Sequence, residues 1–394
     1  MGDLGLYDVL VVGGGPAGAI AAADLARMGR SVLLLDRDGR IKPCGGAIPP
    51  RLLADFEIPE HLLVARATGA RIVSPGNRHV HMPIENGFVG MVDREDFDAW
   101  LRGRAESVGA SRLSGVFERL ERLADGTVSA VVLRGGERVD VRARAVIGAD
   151  GALSAVARQC VPVRGREPVV VAYHEVIRSP GPETGFDGTR CDIYYQGALS
   201  PDFYGWIFPH GTSTSVGTGS AKKGFALRDA VAELRSVTGL ATAETLRCEG
   251  APIPLRVRRR WDDGHNVVLA GDAAGVVAPA SGEGIYYAMA SGRMAATCVE
   301  TFLSTGDVRA LGAARRQFMK AHGQVFRALG MMQRFWYAND WLRERFVALC
   351  GYKDVQRLVW SAYLTKTTMG SQSPMTFIRV MAANFAELLG RQTV

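Results

Sequence analysis

Val9-Leu10-Val11-Val12-Gly13-Gly14-Gly15-Pro16-Ala17-Gly18 runs from an apolar strand through a glycine turn into a helix, and Asp36 closes the next apolar run, Val32-Leu33-Leu34-Leu35. Glycine at 13, 15 and 18 permits the sharp turn and the close approach of backbone to a pyrophosphate. The pyrophosphate then rests on a helix N-terminus, and an acid about 20 residues on receives a ribose hydroxyl. A carboxylate at 36 argues against a 2′-phosphate here. The stretch therefore predicts a βαβ unit whose first nucleotide belongs to NAD or FAD.

Two later segments bear on that choice. Gly148-Ala149-Asp150-Gly151 follows Ala145-Val146-Ile147, and Gly271-Asp272-Ala273-Ala274-Gly275 follows Val267-Val268-Leu269-Ala270. Each sets an Asp at the C-terminal end of a strand, where ligands of doubly wound sheets bind. Taken singly, either Asp reads as a helix N-cap. Together with the first motif they describe one long ligand crossing the sheet.

In this the chain resembles the aromatic-hydroxylase (GR2) superfamily of flavoproteins, which includes the geranylgeranyl reductases. The resemblance implies an α/β fold: a Rossmann-type FAD-binding domain, an inserted antiparallel β-sheet substrate domain and a helical C-terminal region. It implies tightly bound FAD held by Gly13, Gly15, Pro16, Ala17, Gly18, Asp36 and Arg37, by Cys44, Gly45 and Gly46, and by Arg94, Asp150, Gly151 and Gly271. Asp272 would hold the ribityl chain. Pro279-Ala280-Ser281-Gly282-Glu283-Gly284 would lead a helix, from Ile285, whose N-terminus faces the flavin pyrimidine and stabilises the charge of reduced flavin. Without the resemblance, Arg94 reads equally well as a solvated charge near a helix start.

The chain has 394 residues, 47% hydrophobic and 22% charged, enough for two or three domains around a large core. The expected division is an FAD-binding domain at 1–70, 93–160 and 262–310, a substrate β domain at 71–92 and 161–261, and a helical region at 311–394. Val169 to Ile177, Arg190 to Tyr195, Tyr204 to Phe208 and Thr214 to Thr218 read as strands, with Ile72 to Met82 adding more. A hairpin is expected near Val128 to Val141. Helices are expected at Glu95 to Val108, Phe318 to Met332, Trp341 to Cys350 and Met375 to Leu389.

No run approaches the 20 or so apolar residues of a membrane span, and the first strand begins within ten residues, leaving no room for a signal or transit peptide. A bacterial cytoplasmic or membrane-surface protein is expected. The six cysteines are widely spaced with no CxxC, and the seven histidines form no ligand cluster, which argues against a disulfide framework or a metal site. The formal charge of +7 favours anionic partners: nucleotide phosphates, prenyl diphosphate or anionic lipid. No nucleic-acid motif accompanies it. The densest basic run, Arg256-Val257-Arg258-Arg259-Arg260, reads as a solvated strand edge or as a holder of NADPH or substrate phosphate.

Pro201-Asp202-Phe203-Tyr204-Gly205-Trp206-Ile207-Phe208-Pro209 alternates so that Tyr204, Trp206 and Phe208 share one strand face, as an aromatic wall or as ordinary core. It resembles the PxxYxWxFP motif of the geranylgeranyl reductase family. Lys42-Pro43-Cys44-Gly45-Gly46-Ala47-Ile48-Pro49 resembles the KPCGGAIP loop of that family's chlorophyll and bacteriochlorophyll branch. The likeness extends over essentially the whole chain. It implies reduction of a geranylgeranyl tail to phytyl, on geranylgeranyl-bacteriochlorophyllide or geranylgeranyl diphosphate, with NADPH as transient donor to FAD. The location it implies is the cytoplasm of a phototrophic bacterium or the periphery of its inner or photosynthetic membrane.

An isolated alkene offers no carbonyl to accept electron density, so an acid must share the work. Cys44 is the first candidate donor and Tyr204 the second, with Tyr204, Trp206, Phe208 and Pro209 forming the substrate wall. Met331, Met332, Phe335, Trp336, Trp341 and Phe346 are expected to line a tunnel, meet lipid or fill core. The competing readings are a flavin monooxygenase or halogenase, an archaeal-type prenyl lipid reductase, and a flavin-containing pigment-assembly protein without turnover. Tyr204 and Phe208 stand where halogenases of the WxWxIP type carry Trp and Ile.

Overall fold

The computed structural model describes residues 3–37, 39, 41–163 and 167–366. Its strands are β1 Asp3–Val12, β2 Val32–Asp36, β3 Ala47–Ile48, β4 Leu63–Ala67, β5 Gly69–Val73, β6 His79–Pro83, β7 Val89–Val92, β8 Ser111–Ser114 and β9 Val116–Arg122. They continue as β10 Val128–Arg134, β11 Glu137–Gly148, β12 Val169–Arg178, β13 Arg190–Tyr194, β14 Gly205–His210, β15 Ser213–Ser220, β16 Thr245–Pro254 and β17 Val267–Leu269. The helices are α1 Pro16–Arg27, α2 Pro50–Phe56, α3 Arg94–Ser107, α4 Ala155–Cys160, α5 Leu227–Val237, α6 Ile285–Thr305, α7 Ala313–Trp336, α8 Asp340–Leu349 and α9 Lys353–Thr365.

Two compact units result: one from residues 1–42, 94–169 and 252–326, the other from 43–93, 170–251 and 327–394. The first holds a sheet in the order β8-β2-β1-β11-β10-β9, with β17 also paired to β11. β8, β2, β1, β11 and β17 run parallel, β10 is antiparallel to β11, and β9 is antiparallel to β10. Val9, Leu10 and Val11 are fully buried, as befits a strand covered on both faces. Pro16 opens α1 at a position where no amide is needed. Alanines along α1 let α6 approach so closely that a Cβ on Gly292 would lie 2.2 Å from the Ala17 carbonyl oxygen.

The second unit is built on a sheet in the order β16-β12-β15-β14-β13-β5-β6, together with a three-stranded sheet β3-β7-β4. The large sheet departs from the expected antiparallel pattern at one pair, β13 with β5, which is parallel. One face of it carries Ile177, Ile207 and Val216, covered by Val231 and Leu234 of α5.

The unit boundaries differ from those expected. Residues 43–70 leave the flavin-type unit because β3 and β4 both pair with β7. Residues 161–169 and 252–261 join it: the Arg258 guanidinium donates to the Val161 carbonyl at 3.0 Å, and the Leu255 amide to that of Pro168 at 3.1 Å. Helical structure after 311 is shared between the units, since Phe326 packs edge-on against Tyr287 of α6 at 4.9 Å. The expected helix at Met375 to Leu389 lies outside the described residues, as does Thr367 onward. The basic run Arg256 to Arg260 is irregular backbone rather than a strand edge.

Candidate functional site

In the first unit the three glycine motifs meet where β1, β11 and β17 end in register, Val12 opposite Gly148 and Gly148 opposite Leu269. Gly13 has φ +105°, and a Cβ there would stand 2.3 Å from the Ala149 carbonyl oxygen. A Cβ on Gly18 would stand 1.8 Å from the carbonyl oxygen of Gly13, so the turn closes only with glycine at both places. Gly15, by contrast, faces open space with nothing within 4 Å of a built Cβ, at the uncapped N-terminus of α1. That combination, a turn closed by glycines and an open helix start, fits a pyrophosphate.

Asp36 ends β2 beside Gly14, whose built Cβ would lie 2.7 Å from the Asp36 carboxylate. Arg102 of α3 adds a guanidinium 3.3 Å from Asp36 and 3.4 Å from the Gly14 carbonyl. Sequence reading missed Arg102, because nothing in its local pattern marks a side chain that reaches a turn 88 residues away. Arg37 is exposed.

Asp150 serves α4: its carboxylate accepts from Ser154 Oγ at 2.5 Å and from the Ala155 amide at 2.6 Å. The N-cap of α4 is Ser154, whose Oγ accepts the Ala157 amide at 2.8 Å, so Asp150 is not the cap expected of it when taken singly but supports the cap and the first-turn amides, while Gly151 takes φ +86° beside it. Asp272 sits in a single 3₁₀ turn, Gly271–Ala274, and pairs with Lys42. Gly271 donates its amide to Ser291 Oγ on α6 at 2.9 Å, tying the Asp272 turn to that helix.

Between them, Pro279 to Gly284 folds back on itself, with the Ala278 amide donating to the Glu283 carbonyl at 2.8 Å. Ala280 adopts φ +63° and Gly282 φ +67°, the former a strained position for a residue with a Cβ. Gly284 caps α6 with no side-chain bond, just before buried Ile285. Arg94 is buried and grips Asp98 through two hydrogen bonds of 2.9 and 2.6 Å, so it is an internal ion pair rather than a solvated charge. The cradle matches what a flavin adenine dinucleotide requires of glycine turns, ribose acceptor and open helix starts.

The second unit carries the aromatic row and the Cys44 loop. Trp206 lies 6.1 Å from Tyr204 and 6.2 Å from Phe208, ring centre to ring centre. Tyr204 precedes β14 instead of lying in it, and stacks on Phe203 at 4.2 Å. Tyr204 and Trp206 are buried and Phe208 is half-buried. Pro209 faces the other way, as its odd position in the strand demands. Gly45 meets Phe208 so closely that a Cβ would be 3.0 Å from its ring, and Gly46, with φ +68°, leaves room for the His210 imidazole. Cys44 is half-buried, and its sulfur accepts the Gly46 amide at 3.4 Å. The loop and the aromatic row, remote in sequence, are thus neighbours through Gly45 and Phe208.

Burial holds the His210 imidazole below its ordinary range despite its bond to the Phe208 carbonyl. His174, Ser215 and Glu249 behind Trp206 were not anticipated. Their strands were legible only in part, since β16 carries no clear alternation. Arg258, in the basic run, is committed to Glu167 and to the Val161 carbonyl. No group of three or more potential metal ligands occurs among the described residues.

Comparison with known proteins bears on both units. Residues 67–316 match a family model described as an FAD binding domain, and residues 11–80 match an NAD(P)-binding Rossmann-like domain. A geranylgeranyl diphosphate reductase of Rhodobacter capsulatus is 54% identical over 387 residues, spanning 98% of each chain. One from Synechocystis is 34% identical, spanning 97% of each. A geranylgeranyl bacteriochlorophyll reductase-like protein of Thermoplasma acidophilum superposes with a TM-score of 0.83 at 23% identity, covering 98% of each chain, a likeness of fold.

Proposed function

This chain belongs to the FAD-dependent geranylgeranyl reductases, oxidoreductases that act on the carbon–carbon double bonds of geranylgeranyl groups, and from that premise we propose that it reduces a geranylgeranyl tail to phytyl, leaving one double bond. The tail is carried on bacteriochlorophyllide or as the free diphosphate, and NADPH is the transient electron donor. The observation that carries this reading is the packing of the Cys44 loop on the aromatic row through Gly45 and Phe208. It brings an acid and a cation-stabilising surface into one neighbourhood.

When bound, reduced FAD would supply a hydride, for which the more substituted alkene carbon is the acceptor. The chain's residues must deliver a proton to the other carbon as the hydride arrives, and stabilise the positive charge that builds at the more substituted carbon. Cys44 is the proposed proton donor: its S–H gives the proton and is restored from solvent. Tyr204 is the second candidate. The faces of Tyr204, Trp206 and Phe208 hold the prenyl chain and offset developing charge, at about 2 kcal/mol for a dry ring. Gly13, Gly15, Gly18, Asp36 and Asp272 hold the cofactor in the proposal.

No helix among the described residues is long and apolar enough to cross a membrane. Met331, Phe335 and Trp341 are exposed, Met332 is half-buried, and Trp336 and Phe346 are buried, so the six candidate residues divide. The Arg345 guanidinium stacks 3.6 Å over Trp341. Peripheral contact with an anionic lipid surface is the proposed role of the exposed three.

The test is Cys44→Ser and Cys44→Ala, with bound FAD measured by absorbance and prenyl reduction by anaerobic single turnover. Retained FAD with reduction slowed at least about a hundredfold is expected of a lost general acid. Unchanged reduction would remove Cys44 from the role.

A further inference from the structure

A buried polar chain backs the indole of Trp206. Trp206 on β14 and His174 on β12 stand in register with the same residue of the strand between them, Gly217. A Cβ on Gly217 would lie 2.3 Å from Trp206 Cζ2 and 2.5 Å from His174 Cβ, so the missing side chain lets the indole lean towards the imidazole. Ser215, two residues along the same strand face, sits between them. Its Oγ is 3.1 Å from Trp206 Nε1 and 2.9 Å from His174 Nδ1. The other imidazole nitrogen, Nε2, is 3.1 Å from Glu249 on β16, whose carboxylate also forms an ion pair with Arg247, 2.8 Å from its Nε.

The protons in this chain have a fixed direction. An indole N–H only donates, so Ser215 Oγ accepts from Trp206. Burial pushes the Glu249 carboxyl up, but its contacts with His174 and then Arg247 outweigh it and keep the group below its usual range. An ionised Glu249 only accepts, so in a neutral His174 the ring proton sits on Nε2 and Nδ1 accepts from the Ser215 hydroxyl. Each member therefore donates to the next, from Trp206 to the carboxylate. Such chains polarise cooperatively in a low-dielectric interior, and pulling on the indole proton enriches the ring's π face.

We propose that Ser215, His174 and Glu249 orient the Trp206 indole and enrich its ring in electron density, making Trp206 a cation-stabilising ring of the site and His174 a positioning residue for alkene reduction. The inference rests on the reading that the aromatic row meets the prenyl chain.

The experiment uses the FAD-loaded full chain with its tryptophans labelled at the indole nitrogen. The Trp206 N–H resonance is assigned by its loss in Trp206→Phe. In His174→Leu that resonance is expected to move upfield, and kcat for prenyl reduction to fall about five- to tenfold, the size of part of one dry cation–π contact. His174→Gln, whose amide can accept from Ser215 and donate to Glu249, is expected to restore both. Ser215→Ala breaks the chain with a smaller change of volume and serves if His174→Leu does not fold.

A resonance unmoved in the folded variant overturns the proposal, as does a moved resonance with unchanged kcat, or failure of His174→Gln to restore either readout. Full turnover in Trp206→Phe would overturn the underlying reading of the aromatic row instead, whatever the indole resonance does.

Discussion

Lys42 and Asp272, 230 residues apart in the chain, form an ion pair with Nζ 2.5 Å from Oδ2, and the Asp272 side chain is only 8% exposed. The residue that the flavoprotein resemblance would place at the ribityl chain is therefore held by the last residue of the first segment of its unit. Asp272→Asn removes a charged acceptor worth about 1.5–3 kcal/mol, so FAD should bind at least about tenfold more weakly. Lys42 is partly exposed, so its loss of a partner should cost the fold little. Flavin fluorescence titration reads the affinity, and an unchanged value would remove Asp272 from the cofactor site.

Gly15 and Gly18 separate a cofactor effect from a folding effect. Gly15→Ala puts a methyl into open space and should fold with an unchanged Tm while losing flavin. Gly18→Ala drives a Cβ to 1.8 Å from a backbone oxygen and should lower Tm sharply or abolish soluble protein. Melting curves of the apoproteins, beside their flavin content, distinguish the two. Equal flavin binding by Gly15→Ala and the parent would contradict the placement of the pyrophosphate.

Gly217→Ala should act on the second unit alone. Its Cβ would meet both Trp206 and His174, so the indole must rotate out of the row. FAD content is expected to stay at the parent level while prenyl reduction drops at least about tenfold, a cost of about 1.4 kcal/mol or more in transition-state stabilisation.

Much of this arrangement was legible in the sequence because it depends on local pattern. The glycine turn, Asp36, the strands at Val169, Arg190 and Thr214, and the helix after Arg94 all follow from apolar periodicity and turn residues. α5 is absent from the sequence reading: Ala230, Val231 and Leu234 stand at helical spacing, but strand signals on either side mask them. What was hidden depends on register. Nothing in the neighbourhood of His174, Ser215 or Glu249 says that they will stand behind Trp206. That follows only once β16, β12, β15 and β14 are aligned. Residues 43–70 continue directly from the first βαβ unit, yet the pairing of β3 and β4 with a later strand, β7, assigns them to the other unit.

Acid sensitivity should be traceable to the clasp between Arg30 and α6. Two hydrogen bonds from Arg30, of 2.7 and 2.8 Å, hold Glu300 down to about 2 from an ordinary 4.5. A depressed carboxyl contributes stability that is present above 4.5 and is lost as the pH falls towards about 2. Glu300→Gln should therefore flatten the dependence of Tm on pH across that window, with little change in flavin content. A parent-like slope would show that the clasp carries none of the dependence.

Met331, Phe335 and Trp341 should matter only where lipid is present. A triple change to Ser is expected to reduce co-sedimentation with anionic vesicles while leaving reduction of detergent-dispersed substrate intact. Raised salt should weaken binding of the parent through screening of Arg345 and its neighbours. Vesicle binding unchanged by the substitutions would reject this surface.

The central claim is tested most directly by incubating the purified flavoprotein without oxygen with NADPH and geranylgeranyl-bacteriochlorophyllide, or with geranylgeranyl diphosphate, and following product mass. Stepwise gains of two hydrogens that stop at the phytyl product are predicted, on one carrier or both. FAD that is bound and reduced by NADPH, with no mass gain on either carrier, would contradict the account.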